Sequence, residues 1–368
     1  MLFEKIREYF AVLKAQQTIL RDMQIRVQDI QDRVYDDLDK NTDAQIRVHD
    51  IQDRVYDVLW QQKTSNHQRE MMFWEIYKLP GEQLLDTKLR FFHTIPSATG
   101  NERKSQLLLA TLLKEICQLC EQNELPYWLD FGTLIGAIRH SGFIPWDDDI
   151  DIGMMRGDAD KLAQLLQQGK NAERYQFRKV FFNQSENGII QVFQIRYREA
   201  PFGTVIPSVD VFFYDYCNRC DADSWKCFQQ EKQELVDESE LHARTQVPFV
   251  FDKQINQECA EIVDKYYQRL KEELQYQDSD AKYIIFGIDN IHYLNYQDEH
   301  IFPKEYIFPL KKLEFEGHQY FVPNRYMDYI MPMYGDIFSL PSDMLSHKHI
   351  EMKASDEELL NRMYDKVL

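Results

Sequence analysis

Residues 127–155 read YWLDFGTLIGAIRHSGFIPWDDDIDIGMM, in which four of the five residues from Asp147 to Asp151 are aspartates. Strand alternation predicts Asp147, Asp149 and Asp151 on one face, with Ile150 and Ile152 turned to the other. Same-face neighbours on a strand lie about 6.5–7 Å apart at the backbone, so their carboxylates can converge on a divalent cation. Without a cation, packed anions repel and raise the pKa of at least one member. An all-oxygen donor set suits hard Mg²⁺ or Mn²⁺, ions that also bind phosphates. The block therefore predicts a metal site for phosphate chemistry. A solvated acidic turn is the competing reading, and the interleaved Ile144, Trp146, Ile150 and Ile152 argue against it.

Upstream, Tyr127 to Phe131 reads as a short buried strand, Gly132-Thr133 as a turn, and Leu134 to Arg139 as the start of a helix. A strand, a small-residue turn and a helix N-terminus make an anion site from free backbone N–H groups. Gly132 allows close approach of a phosphate, Thr133 adds a hydroxyl, and Arg139 offers a guanidinium fork. Trp146 has two readings of equal weight: an aromatic platform for a base or choline-like head group, or a core aromatic behind the strand. Further on, TVIPSVDVFFY at 204–214 is strongly strand-forming. An ionised Asp210 between Val209 and Val211 needs a partner, which makes it a third ligand or a general base. The alternatives are an edge-strand aspartate, or one bonded to a local turn around Ser208. Asp215 is the less favoured candidate, and His140, His347, Lys348 and His349 read first as surface residues.

The pattern WLDFGTLIGAIRHSGFIPWDDDIDI resembles the LicD family of phosphotransferases, to which the fukutin-type proteins are related. The likeness continues through Val209-Asp210-Val211-Phe212, Phe315-Glu316-Gly317, Val322-Pro323 and Tyr334-Gly335-Asp336, covering residues 103–350 or thereabouts. It implies an α+β, nucleotidyltransferase-like mixed sheet with flanking helices. It also implies transfer of phosphocholine, ribitol phosphate or glycerol phosphate from a CDP-linked donor to a hydroxyl of a cell-surface glycan, free or lipid-linked, with release of CMP. Carried over by position, Asp149 and Asp151 match the metal-binding pair and Asp210 the third carboxylate. Asp147 and Asp148 belong to the motif without an assigned role. Two other functions compete: a nucleotidyltransferase releasing pyrophosphate, and a non-catalytic coiled-coil assembly protein.

The chain has 368 residues, 44% of them hydrophobic, and a formal net charge of −18. Such acidity argues against a nucleic-acid surface and against broad attachment to anionic lipid. No window approaches the roughly 20 apolar residues that cross a bilayer, and MLFEKIREYFAVLKAQQ lacks the apolar run of a signal peptide. A cytoplasmic enzyme is expected, at most peripheral at the inner membrane face. Of six cysteines, Cys117 and Cys120 fall in the apolar run LLLATLLKEICQLC, where they pack as small hydrophobes. Cys217, Cys220, Cys227 and Cys259 allow a structural Zn²⁺ as the disfavoured alternative to reduced thiols.

At the N-terminus QIRVQDIQDRVYDDL (24–38) returns three heptads later as QIRVHDIQDRVYDVL (45–59). Val27, Val34, Val48 and Val55 fall at a, with Ile30, Ile51 and Val58 at d, and Asn41 at an a position. This predicts a left-handed coiled coil that assembles a homo-oligomer, with a parallel dimer favoured. A single long helix packed on the catalytic domain is the competing view. The expected organisation is a stalk at 1–62, a linker or docking segment at 63–102, and a catalytic domain at 103–368. Strands are expected near 126–131, 148–154, 175–182, 189–198, 204–214 and 318–322. Helices are expected at 103–123, 157–169, 223–243, 253–276 and 323–333.

Overall fold

The computed structural model describes residue 64 and residues 67–184, 188–202, 204, 206, 208–221, 223–241, 253–277, 280–291, 300–340 and 354–368. The expected coiled coil at 1–62 and the trio His347, Lys348 and His349 lie outside the described residues. The chain divides into two compact units, residues 1–94 with 338–347, and residues 95–337 with 348–368.

In the first unit, helix α1 (67–77) and helix α2 (Leu84–Thr94) occupy the stretch expected as a linker. Their partner is aromatic: the Phe91 ring takes Phe73, Trp74 and Tyr77 edge-on, each at 5.3–5.4 Å. Glu82 fixes the turn between them, accepting from the Leu79 N–H, Thr87 Oγ1 and Arg90 Nε.

The second unit opens with helix α3 (Gly100–Gln122), which buries Leu108, Leu109, Leu112, Leu113 and Ile116. Cys117 and Cys120 lie on the same buried face, and burial pushes both thiols up, Cys120 to about 12. There follow β1 (Trp128–Leu129), α4 (Phe131–His140), β2 (Ile150–Met155), α5 (Arg156–Leu166) and α6 (Gly169–Arg174). Next come β3 (Tyr175–Gln184), β4 (Gly188–Tyr197), β5 (Val209–Cys217), α7 (Ser224–Leu241) and α8 (Lys253–Glu273). The chain ends with β6 (Tyr283–Phe286), β7 (Ile301–Pro303), α9 (Lys304–Ile307), β8 (Lys311–Phe315), β9 (His318–Val322), α10 (Tyr326–Tyr334) and α11 (Ala354–Val367).

Seven strands form one mixed sheet along the path β1-β2-β5-β4-β3, with β6 and β7 continuing from β5. The β2–β5 ladder is parallel and the others are antiparallel. Strands β8 and β9 make a separate hairpin. The architecture is thus the expected α+β arrangement of a mixed sheet with flanking helices. Helices α7 and α8 bring Trp225, Phe228, Leu235, Val263, Tyr266 and Leu270 onto Ile189 of β4, Cys217 of β5 and Ile285 of β6. Since strand side chains alternate, Gln194 and Asp210 point to the other face. The face under α7 and α8 thus carries this apolar core together with the ion-paired Asp215, and the opposite face carries Gln194 and Asp210.

Several boundaries differ from expectation: β1 ends at Leu129, so that Gly132 and Thr133 lie inside α4 rather than in a turn before it, and two others matter for the site. Strand β2 begins at Ile150, so Asp147, Asp148 and Asp149 lie on the approach to it rather than within it. The reason is a turn in which the Asp147 N–H donates to the Ile144 carbonyl at 2.9 Å, with Pro145 supplying its restricted φ inside it. Strand β5 begins at Val209 rather than at Thr204, with Ser208 just before it.

Candidate active site

The site grows from the β1–α4 junction. Asp130 caps α4, its Oδ1 accepting from the Phe131 N–H at 2.9 Å. The same carboxylate is fully buried and accepts from the hydroxyls of Tyr214 at 2.7 Å and Tyr329 at 2.8 Å. Burial lifts its pKa to about 6, against the pull of those bonds. Phe131 adopts a left-handed φ of 41°, which turns the chain directly from strand to helix. The Asp130 N–H donates to the Asp151 carbonyl at 3.1 Å, and Thr133 Oγ1 accepts from the Asp151 N–H at 2.9 Å. The first turn of α4 is thereby sewn to the residue at the centre of the acidic cluster.

Gly132 is required by proximity rather than by conformation. A Cβ there would sit 2.9 Å from Asp147 Oδ2. The Asp147 carboxylate therefore lies over the start of α4, with its backbone carbonyl held by Gln106 Nε2 at 2.9 Å. Its Oδ1 is buried and meets no hydrogen-bond partner among the described residues. Burial, then the charges of Asp149 and Asp148, push its pKa to about 9. Asp151 is pushed well above the carboxylate range, by burial first and then by Asp149, Asp210 and Asp147.

Asp151 and Asp210 are direct partners in the parallel ladder, and Asp210 pairs in turn with Gln194, which pairs with Arg178. Four strands thus set Asp151, Asp210, Gln194 and Arg178 in one row across the polar face. The links are explicit. Gln194 Nε2 donates to Asp210 Oδ2 at 2.8 Å, while Arg178 Nε donates to Gln194 Oε1 at 2.8 Å and Arg178 Nη2 binds the same oxygen. The arginine fixes which end of the amide faces Asp210. Ser208 Oγ donates to Asp210 Oδ1 at 2.7 Å, so the local contact weighed as an alternative is present. Asp210 lies on an interior strand, however, flanked by β2 and β4. Its pKa rises to about 6, mainly through burial.

The loop between α4 and β2 is clamped from outside. Arg103 Nη1 and Nη2 grip the Glu316 carboxylate at 3.0 and 2.6 Å, and Glu316 Oε1 accepts from the Phe143 N–H at 3.2 Å. The Glu316 N–H donates to the Ser141 carbonyl at 2.9 Å. Gly142 is wedged there, since a Cβ would lie 2.6 Å from Glu316 Oε1.

The remaining expected residues are placed as follows. Arg139 is buried, and its Nη1 donates to the Ile337 carbonyl at 2.8 Å, so its fork is used in the fold. Trp146 is partly buried, its ring edge-on to His140 at 6.4 Å. Its Nε1 has no hydrogen-bond partner among the described residues. Sequence reading missed Gln194, Arg178 and Glu316 as supports, and Tyr334 as a neighbour of the acids. Tyr334 is 47% exposed as a whole, and its phenol is pushed up by local desolvation and then by Asp151, Asp130, Asp149 and Asp147. Its only signal in sequence was its place in a family motif.

Among the described residues no three acidic, histidine or cysteine side chains already close on a point as a finished metal cage. The donor chemistry nevertheless fits a hard divalent cation. It supplies oxygen ligands only, mutual repulsion within Asp147, Asp149, Asp151 and Asp210, and a buried carboxylate oxygen left unbonded. Of the other cysteines, Cys217 and Cys259 are buried in the α7–α8 core with Cys227 against it, and Cys220 is exposed.

Comparison with known proteins agrees with this geometry. The family described as "LicD/FKTN/FKRP, nucleotidyltransferase domain" matches residues 124–253 and 249–325. The lipopolysaccharide cholinephosphotransferase LicD of Haemophilus influenzae is 28% identical over 260 residues, 66% of this chain and 92% of that protein. An uncharacterized protein of Rickettsia prowazekii is 48% identical over 65 residues, 18% of this chain and 24% of its own length. Human ribitol 5-phosphate transferase FKRP is 49% identical over 39 residues, 11% of this chain and 8% of that protein. The family match takes in more than half of the 368 residues and includes both Asp151 and Asp210. This chain therefore belongs to the LicD/FKTN/FKRP family and is a phosphotransferase.

Proposed function

We propose that the chain transfers a phospho-alcohol, such as phosphocholine, ribitol phosphate or glycerol phosphate, from a CDP-linked donor to a hydroxyl of a cell-surface glycan, releasing CMP. The carrying observation is the Asp151–Asp210 pairing on adjacent parallel strands, both side chains half-buried beside half-buried Asp149 and buried Asp147. Like charges at this density call for a cation and an anionic substrate together. The similar proteins act on choline phosphate and ribitol phosphate by name, which supports a phospho-alcohol as the group moved.

Asp149, Asp151 and Asp210 would hold Mg²⁺ or Mn²⁺, which when bound would offset charge on the donor's phosphates and on the departing CMP. The protein's own part is to position and to handle a proton. The acceptor oxygen forms a bond to the phosphorus of the transferred group as the bond to CMP breaks. The proton of that hydroxyl goes to a carboxylate. Asp210, with a pKa of about 6, is suited to accept it near neutrality if it is not spent as a ligand. Gly132 leaves room for the Asp147 carboxylate over the start of α4, and Trp146 presents an apolar ring whose Nε1 has no hydrogen-bond partner among the described residues. Residues 1–62 would assemble copies of the chain, and the enzyme would work in the cytoplasm beside a lipid-linked glycan acceptor. No described helix is long and apolar enough to cross a membrane.

The test is a screen of CDP-choline, CDP-ribitol and CDP-glycerol by thermal shift, with and without Mg²⁺, followed by chromatography of the small product. Ion-dependent stabilisation by one donor and release of CMP support the reading. Pyrophosphate released from a nucleoside triphosphate would identify a nucleotidyltransferase instead.

A further inference from the structure

Helix α1 presents two different sides. With about 3.6 residues per turn, Trp74 and Tyr77 fall on one side and Met72 and Ile76 on the other. Trp74 is fully buried, meets Phe91 of α2 edge-on, and donates from Nε1 to Glu70 at 3.0 Å. Tyr77 meets the same Phe91 ring. On the opposite side Met72 is 65% exposed and Ile76 83% exposed, and Leu79, just past the helix end, is 53% exposed. The described residues leave this apolar stripe in contact with solvent.

The spacing of Met72, Ile76 and Leu79 is four residues and then three, the step of a coiled-coil seam. Its phase also matches. Counting in sevens from Val34, Val48 and Val55 at a puts Ile76 at a. Counting from Ile30, Ile51 and Val58 at d puts Met72 and Leu79 at d. Trp74 then falls at f, the position a seam turns outward, which is where α2 packs. Between the two stretches the frame passes through Gln62, Ser65 and Arg69, so the apolar seam breaks there and resumes in the same phase. A stripe that served an unrelated partner has no reason to keep count with the upstream repeat.

We propose that Met72, Ile76 and Leu79 form an interface with the same face of a second copy of this chain, the two α1 helices lying parallel and in register. The proposal rests on the reading of residues 1–62 as an assembling coiled coil and carries its seam into the stretch expected as a linker. A parallel stalk delivers both copies of α1 to the same end, where each residue meets its own counterpart and the patch is self-complementary. The interface also has a task. Because 24–38 is nearly repeated at 45–59, two strands can slip by three heptads and still match repeat to repeat. The slip sets Ile76 of one copy opposite Val55 of the other and leaves the second α1 stripe bare, so pairing of α1 with α1 selects the unslipped register. Three side chains are too few to hold two copies alone; α1 aligns what residues 1–62 bring together.

The experiment places the photo-crosslinker p-benzoyl-phenylalanine at Ile76 of the full chain, and in a control at Met71, which lies at c and off the seam. Irradiation of the Ile76 protein yields a covalent species of twice the chain mass. Mass spectrometry of its digest finds the label joined to residues 69–83 of another copy, recognised because the two linked peptides overlap in sequence. Ile76→Asp weakens association of the copies about tenfold or more, read by light scattering across a dilution series. A label joined to residues 45–59 marks slipped strands or a stalk folded back on α1, and one joined to residues 1–23 marks an antiparallel pair; either overturns the proposal. So does equal yield from positions 71 and 76, or no covalent dimer from a protein that light scattering shows to be an oligomer. Those results leave the stalk reading standing, whereas a wild-type chain that is monomeric removes both.

Discussion

Asp151 and Asp210 face one another directly across the parallel β2–β5 ladder, on the side of the sheet away from the α7–α8 core. Neighbouring strands hold two carboxylates at this spacing against their repulsion, which burial intensifies. The fold stabilises the arrangement from elsewhere, and several consequences can be measured.

Neutralising the pair should separate stability from activity. Asp151→Asn is expected to stabilise the metal-free protein by on the order of 1–2 kcal/mol, because repulsion and desolvation are relieved. Activity should fall at least about a hundredfold. Urea denaturation in EDTA and a CMP-release assay check both halves, and a destabilised, inactive variant would instead mark Asp151 as structural.

The pH dependence has a definite sign. Folded-state pKa values of about 6 for Asp130 and Asp210 and about 9 for Asp147 lie above the ordinary value of 3.8. The folded protein therefore keeps protons that the unfolded chain has released. Stability from these groups is fully present below the unfolded value and is lost as pH rises through about 6 and then about 9. Denaturation in EDTA across that range should show the decline, and Mg²⁺ should flatten it.

Gly132→Ala tests the close approach of Asp147. The new Cβ falls 2.9 Å from a carboxylate oxygen, the mobile end of its side chain, so the strain is relieved by moving that group. Replacing a helical glycine with alanine gains up to ~1 kcal/mol. Thermal stability should hold while activity drops about tenfold, and unchanged activity would mean that the position of Asp147 is immaterial.

Gln194→Leu removes the donor that holds Asp210 Oδ2 and interrupts the link to Arg178. Activity is expected to fall about tenfold, chiefly in kcat, as the carboxylate loses its orientation. Gln194→Glu should be worse, since it sets a further anion against Asp210. Steady-state kinetics of the two variants give the comparison.

Deleting residues 1–62 should leave catalysis intact and convert an oligomer to a monomer. Light scattering of the full and shortened chains reads this directly, and an unchanged mass would remove the coiled-coil proposal.

The acidic block, the Gly-Thr turn and the strand bearing Asp210 were legible because each is a short run whose chemistry conflicts with its apolar neighbours. The strands at 175–182 and 189–198 were legible from their β-branched and aromatic content, whereas the mixed sheet was expected only from the family resemblance. What was hidden depends on register. Nothing in GIIQVFQIRY says that Gln194 meets Asp210 on one side and Arg178 on the other, because that follows only from ladder pairing. The Arg103–Glu316 clamp joins residues 213 positions apart, beyond any local pattern. Arg139 was expected at a phosphate from its place on a helix, and its burial against the Ile337 carbonyl follows from tertiary packing. The alternation rule also failed for Asp147 and Asp149, where a turn at Pro145 delays the strand until Ile150.

The most direct measurement is CMP release from a CDP-alcohol donor in the presence of a glycan acceptor, with wild type and the Asp149→Asn/Asp151→Asn double variant compared with and without Mg²⁺. Turnover by wild type alone, and only with the ion, is the predicted result. Equal rates for the two proteins, or full activity in EDTA, would contradict a carboxylate-held cation at the heart of this enzyme.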